Sequence, residues 1–390
     1  MRFFKLFALL IGLTVFHSQW VVAQDTPQPE ETQASASDTE KEKAEPAKYD
    51  LKVDRVIDYT PIKSQGRTGT CWCFATTSFL ESELMRRGKG EIDLSEMHIV
   101  KNVYKDKAQN YVLRHGKAQF GQGALSHDFI KGVTRGGLMP ESAFDGKDEG
   151  ATRHDHSEME TLLKGMLDGL IKRPSPSPKW PIAYGKILDT YLGDSPENFS
   201  YDGRTFTPKE FAKHLDFRAE DYVNITSFNH HPFYKNFVLE IPDNYSNGSF
   251  YNLPIDELVE IVEHAIEEGY TVAWDGDVSE KGFSSKNGMA LLPENASRSD
   301  LFQTIGPEQE VTQETRQKTF FNFSTTDDHL MHLVGTSSDA EGNRYFIIKN
   351  SWGEVGPYDG LIHMSESYLR LKTVAILLHK DAIPSRFQRR

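Results

Sequence analysis

The 390 residues contain two cysteines, Cys71 and Cys73, one residue apart. On a helix such side chains diverge by about 200°, so they cannot staple the chain to itself. No second cysteine pair exists to complete a structural zinc site, and neither a metal nor a cofactor is expected. A thiol reacts as its thiolate, which a helix N-terminus favours through exposed N–H groups and the macrodipole. Cys71 fits that position: residues 61–69 are rich in turn formers, and no Gly or Pro occurs from 70 to 87. Gln65, six residues upstream, can fold back. Its side-chain N–H and the Cys71 backbone N–H could then bind a developing oxyanion, a donor worth on the order of 3 kcal/mol in a transition state. A cysteine nucleophile also needs an imidazole and a third polar group to hold the ring. Candidates lie far downstream, His329 and His332 in Asp327-Asp328-His329-Leu330-Met331-His332, and Asn350 in Lys349-Asn350-Ser351-Trp352-Gly353. Taken singly, the cysteine also reads as a buried structural residue and the histidines as satisfied strand residues.

The elements that must position these groups follow from pattern. The stretch after Thr70 has an imperfect apolar stripe, which predicts a largely buried helix rather than a surface one. The runs HLVGTSS, RYFIIKN, GLIHM and TVAILLH predict a β-rich C-terminal third carrying the histidines and Asn350. Residues 255–268 predict a helix, started by Pro254 and ended by Gly269. The middle, about 150–250, predicts mainly helical elements broken by Pro-rich turns.

The N-terminus has its own logic. Arg2 and Lys5 precede the apolar run FALLIGLTVF and small residues before Gln24, which predicts a signal peptide over residues 1–23. The run is too short to span a bilayer, so no membrane span is expected after its removal. A retained anchor is the alternative. Residues 24–47 carry seven acids against two lysines and no large apolar residue, which predicts a disordered acidic linker. A folded domain over 48–390 and a secreted or periplasmic location follow. Acids outnumber bases 57 to 44, a formal charge of −13, which argues against nucleic acid as a partner.

In combination the motifs resemble the papain superfamily of cysteine peptidases, specifically the bleomycin hydrolase and aminopeptidase C branch. The resemblance rests on SQGRTGTCW, the Gly121-Gln122-Gly123 segment, GGLMPE, YNLPIDELVEIVEHAIEEGYTVAWDGDV, DDHLMHLVG and IIKNSWGE, spread over residues 50–375. It implies an α+β, papain-like two-lobe fold, with a helical lobe, a β-barrel-like lobe and a helical insertion in the middle of the chain. The 258 positions from Cys71 to His329 match the longer branch rather than compact papain. It implies Cys71 as nucleophile, His329 as base, Asn350 as orienter and Gln65 in the oxyanion hole. The family histidine stands six residues before a small residue, as His329 does before Gly335. His332, an odd number of residues away, would face the other side of its strand. Cys73 falls at an apolar position and reads as core.

The resemblance also implies that Gly121, Gln122 and Gly123 hold an extended peptide by β-augmentation. Trp352 would shield the His329–Asn350 contact and Trp72 would support the nucleophile. Peptide substrates and a homo-oligomer are implied as well. Hydrolysis through a Cys71 acyl-enzyme is the expected reaction. A silent peptide-binding relative and an acyl transferase are the alternatives. In that branch a C-terminal arm places its carboxylate in the cleft and makes the enzyme an aminopeptidase. Here only residues 380–390 follow the last predicted strand, and Arg386, Arg389 and Arg390 sit beside the terminus. Aminopeptidase action is expected, with a more open, endopeptidase-like cleft as the alternative.

Overall fold

The computed structural model describes residues 49–147 and 150–387. The expected leader (1–23) and linker (24–47) lie outside them. The helix predicted after Thr70 spans Cys71–Arg86, and residues 71 through 84 are buried on every face. That explains the weak stripe: the helix has no solvent side. The Glu96–Leu113 and Ser126–Gly136 helices pack beside it on one side and a sheet on the other. The Glu96–Leu113 helix is capped by Ser95, whose hydroxyl accepts from His98 N–H.

Among the described residues the main sheet has eleven strands. Its centre is Thr373–His379, Val272–Gly276, His329–Ser338, Arg344–Lys349 and Leu361–Ser365, adjacent in that order and antiparallel throughout. Lys52–Val56 pairs with the far half of His329–Ser338. Gly335 lies under that pairing, and a Cβ there would collide with the Arg55 carbonyl. A small residue six positions after His329 therefore has a packing cause.

Period-two alternation separates two cores. Leu330, Ala273, Ala375 and Leu377 face the helical lobe. Met331, Trp274, Ile376 and Leu378 face a second core, covered by the Ile255–Glu267 and Glu366–Lys372 helices. Both faces being covered, His329–Ser338 is buried along almost its whole length, polar residues included.

Residues 150–250, expected to be mainly helical, are helical as far as His214. Ser157–Leu170, Trp180–Leu192 and Pro208–His214 are helices, with a small hairpin between the last two. Beyond them the segment also contributes strands. Tyr222–Thr226, Ser249–Asn252 and Asn236–Val238 extend the main sheet beyond Thr373–His379. The tail after His379 does not enter a cleft as far as it is described. Ile383 is buried in the second core, Phe387 packs against it, and Arg386 pairs with Glu260 on the Ile255–Glu267 helix.

Candidate active site

The loop before the nucleophile helix is clamped. Gly69 N–H donates to Gln122 Oε1 at 2.7 Å, and Trp72 Nε1–H donates to the Gln122 carbonyl at 3.0 Å. A Cβ on Gly69 would meet Gln122 Cβ at 2.9 Å, so glycine lets the two loops close. Gln122, expected to hold a peptide through the backbone of its strip, uses its side-chain oxygen and its carbonyl in this clamp.

Cys71 is the first residue of its helix, and its sulfur lies against the N–H of Leu330, the residue after His329. Cys73 points away: its sulfur contacts the Glu96 carbonyl at 3.2 Å and is fully buried. His329 Nε2 lies 2.8 Å from Asn350 Oδ1, and Ser351 N–H donates to the same oxygen at 2.8 Å. The backbone donor identifies that atom as the amide oxygen, so the ring must donate from Nε2. Nδ1 is then the ring atom able to take a proton. The Trp352 ring covers His329 with centroids 4.7 Å apart.

Gln65 is held at four points, one of them its carbonyl, which accepts from Thr68 Oγ1 at 2.9 Å. Its Oε1 accepts from Ser351 Oγ at 2.7 Å, its Nε2 donates to the Thr68 carbonyl at 2.6 Å, and its own N–H donates to the Ser351 carbonyl at 2.8 Å. One Nε2 hydrogen is left beside the Cys71 loop. Ser351 thus joins Gln65 to Asn350 through one residue. Sequence reasoning passed over it, although it stood inside a quoted motif.

His332 is elsewhere. Its Nδ1 lies 2.9 Å from Ser78 Oγ on the nucleophile helix, with no solvent exposure. Ser78 Oγ in turn accepts from Lys349 Nζ at 2.7 Å, which also reaches the Thr60 carbonyl at 2.7 Å. Lys349, Glu81, Glu96 and Lys63 line a cavity of about 20 Å³ behind the site, room for about one water. Burial pushes Lys349 down to about 8 and Glu81 up to about 7. This network fixes the end of the strand that delivers Asn350.

Burial also sets the charge state of the reactive pair. It pushes the Cys71 thiol up to about 12; Leu330 N–H opposes this, and the carboxylates of Asp327, Asp243 and Asp275 reinforce it. It pulls His329 down to about 4, against the hydrogen bond to Asn350. Burial therefore disfavours the charged form of each group and opposes the help that the helix N-terminus gives the thiolate. The Gly121–Gly123 strip is partly covered. A Cβ on Gly121 would make only an ordinary contact with Gln119 Nε2 at 3.8 Å, whereas the Asp243 carboxylate lies on Gly123, whose carbonyl accepts from Lys107 Nζ.

A thiol on a helix N-terminus, an imidazole held in one tautomer and a tethered amide N–H together suit nucleophilic acyl transfer. Comparisons with known proteins agree. Residues 45–161 match the papain family of cysteine proteases, and residues 186–390 match the peptidase C1-like family. Aminopeptidase C of Listeria monocytogenes is 23% identical over 376 residues, covering 82% of this chain and 80% of that protein. Aminopeptidase E of Lactobacillus helveticus is 24% identical over 375 residues, covering 83% and 82%. The crystal structure of PepW from Lactobacillus rhamnosis HN001 superposes with a TM-score of 0.69 at 18% identity, over 86% of this chain and 84% of that one. The chain belongs to the peptidase C1-like family, in the aminopeptidase C branch of the papain superfamily, and is a cysteine-type peptidase.

Proposed function

We propose that the protein is an exported aminopeptidase that works through a Cys71 acyl-enzyme. In this reading Cys71 Sγ attacks the carbonyl carbon of the first peptide bond as His329 Nδ1 takes the thiol proton. The oxyanion is held by the Cys71 backbone N–H and the remaining Gln65 Nε2 hydrogen. His329 passes its proton to the leaving amine, and the C–N bond breaks. Water, deprotonated by the same nitrogen, then releases the amino acid and restores the thiol. Asn350 keeps Nε2–H engaged throughout, so Nδ1 stays aimed at the reaction.

The observation that carries the aminopeptidase reading is the 239–248 loop, whose Asp243 lies on Gly123. A peptide bound along that strip can extend little past Cys71 on its N-terminal side, which suits removal of single residues. The relatives named aminopeptidase C and aminopeptidase E support it. The tail packed along the Ile255–Glu267 helix does not, and it favours the endopeptidase alternative if the loop opens. The test is paired fluorogenic substrates, identical except for an N-acetyl cap. An aminopeptidase cleaves the free one at least tenfold better, and equal cleavage overturns the reading. Export rests on residues 1–23; N-terminal sequencing of the exported protein should start at or near Gln24, and a chain starting at Met1 contradicts it.

A further inference from the structure

Three carboxylates converge beside Cys71, from separate parts of the chain. Asp275 is the register partner of Leu330, whose N–H meets the Cys71 sulfur. Asp327 precedes the His329–Ser338 strand. Asp243 comes from the 239–248 loop and lies on Gly123. Each acts electrostatically on the thiol, and Asp243 acts on both of the others.

Among the described residues they find little compensation, and that from Lys107 acting on Asp243. None of the three has an ion-pair partner among the described residues. Asp275 is 3% exposed, and its carboxyl meets no cation and no donor besides the Asp327 carboxyl; one buried oxygen of Asp327 is unpartnered. Lys107, the cation that acts on Asp243, spends its Nζ on the Gly123 carbonyl and packs against Tyr245. Burial pushes Asp327 up to about 7 and Asp275 well above the usual carboxylate range, with the two carboxyls close enough to share a proton. A buried acid pair that shares one proton is costly to ionise further, and a cation arriving beside it offsets that cost.

The Asp243 loop is built to hold its position. Asn244 Nδ2 donates to the Leu239 and Gly248 carbonyls at 2.8 and 3.0 Å, and Gly248 N–H donates back to Asn244 Oδ1 at 2.6 Å. Ser246 Oγ donates to Asp128 Oδ1 at 2.6 Å, and Asn110 Nδ2 to the Tyr245 carbonyl at 3.1 Å. Asp243 is thus presented at the strip by a fixed loop.

We propose that Asp243, Asp275 and Asp327 form the subsite that binds the α-ammonium group of a substrate's free N-terminus. The proposal rests on the aminopeptidase reading and supplies its recognition element from side chains rather than from the chain's terminus. Covalent geometry selects the α-ammonium over a lysine or arginine side chain. The α-nitrogen lies about 2.5 Å from the carbonyl carbon that the thiol attacks. A side-chain cation is several ångströms farther out, whereas the charge of these acids acts on the thiol itself. The bound cation also offsets the negative charge that opposes the Cys71 thiolate, so a free N-terminus helps to activate the nucleophile that cleaves it.

The test uses the whole protein and its Asp243→Asn, Asp275→Asn and Asp327→Asn variants. Each is assayed on free and N-acetylated aminoacyl coumarin amides, and on Cys71 alkylation by neutral iodoacetamide. Asp243→Asn should lower kcat/KM for the free substrate about tenfold or more, mostly through KM, and shrink the free-to-acetylated ratio by a similar factor. Alkylation should be as fast as wild type or faster, because a charge opposing the thiolate is gone. Asp327→Asn, on a less buried residue than Asp275, repeats the test should Asp275→Asn fold poorly. A wild type that prefers free N-termini and keeps that preference in the folded variants overturns the proposal and leaves the aminopeptidase reading standing. A wild type that cleaves both substrates equally overturns both. If acetylated substrates ending in Lys or Arg are favoured and the variants abolish that, the cation is a side chain and the α-ammonium assignment is wrong.

Discussion

Ser351→Ala isolates the relay between the oxyanion donor and the histidine's orienter. The substitution removes one hydroxyl and keeps the Ser351 backbone N–H on Asn350 Oδ1, so the His329 contact should persist. What it removes is the 2.7 Å hydrogen bond that holds Gln65 Oε1. Gln65 is 7% exposed, so that oxygen is left without a partner, at a cost of about 1–3 kcal/mol in stability. The amide can then turn, and its remaining N–H loses its aim. Full loss of one oxyanion donor costs about 2.7–4 kcal/mol in the transition state. The other three Gln65 contacts survive, so Ser351→Ala should lose about half of that, roughly tenfold in kcat. Gln65→Ala should lose about a hundredfold or more. A double-mutant cycle on a free aminoacyl amide decides the matter: in the Gln65→Ala background, Ser351→Ala should have little further effect. Iodoacetamide alkylation of Cys71, which forms no oxyanion, should be nearly unchanged in both single variants. If Ser351→Ala slows turnover equally in both backgrounds, Gln65 is not the group through which Ser351 acts.

Cys71→Ala should abolish turnover in a folded protein, whereas Cys73→Ala should keep it and lose about 1 kcal/mol of stability, read by denaturant midpoint and kcat together. His332→Ala empties a buried site against Ser78 and Phe79 and should cost about 2–4 kcal/mol while the folded fraction still turns over; loss of kcat without loss of stability would move the base from His329 to His332. Burial pushes the thiol up to about 12 and pulls His329 down to about 4, so it works against the thiolate at neutral pH and the thiolate fraction should grow as pH rises. Iodoacetamide alkylation should therefore climb through pH 7–9, and a rate already level at pH 5 would show a charge-separated pair in the resting site.

Much of this site was legible locally. The Cys71–Arg86 and Ile255–Glu267 helices are bounded by Gly and Pro signals, and the odd spacing of His329 and His332 placed them on opposite faces before any coordinates. Ser351 and Lys349 were visible in the sequence but not their tasks, because a buried strand with both faces covered shows no polar alternation to mark inward side chains. The sheet strands in 222–252 were missed because they are three to five residues long and interrupted by asparagines. Asp243 on Gly123 joins positions 120 residues apart in sequence. The acidic subsite is a product of packing: Asp275 reads locally as an ordinary polar residue at a strand end, and only the register with Leu330 carries it to the thiol.

The central claim is that Cys71 is the nucleophile, activated by His329. It is tested most directly by treating the protein with a peptidyl epoxide or chloromethyl ketone and mapping the adduct by mass spectrometry, for wild type and His329→Ala. A single adduct on Cys71, formed far more slowly in His329→Ala, is the predicted result. An adduct on Cys73, or equal labelling of Cys71 with and without the histidine, would contradict it.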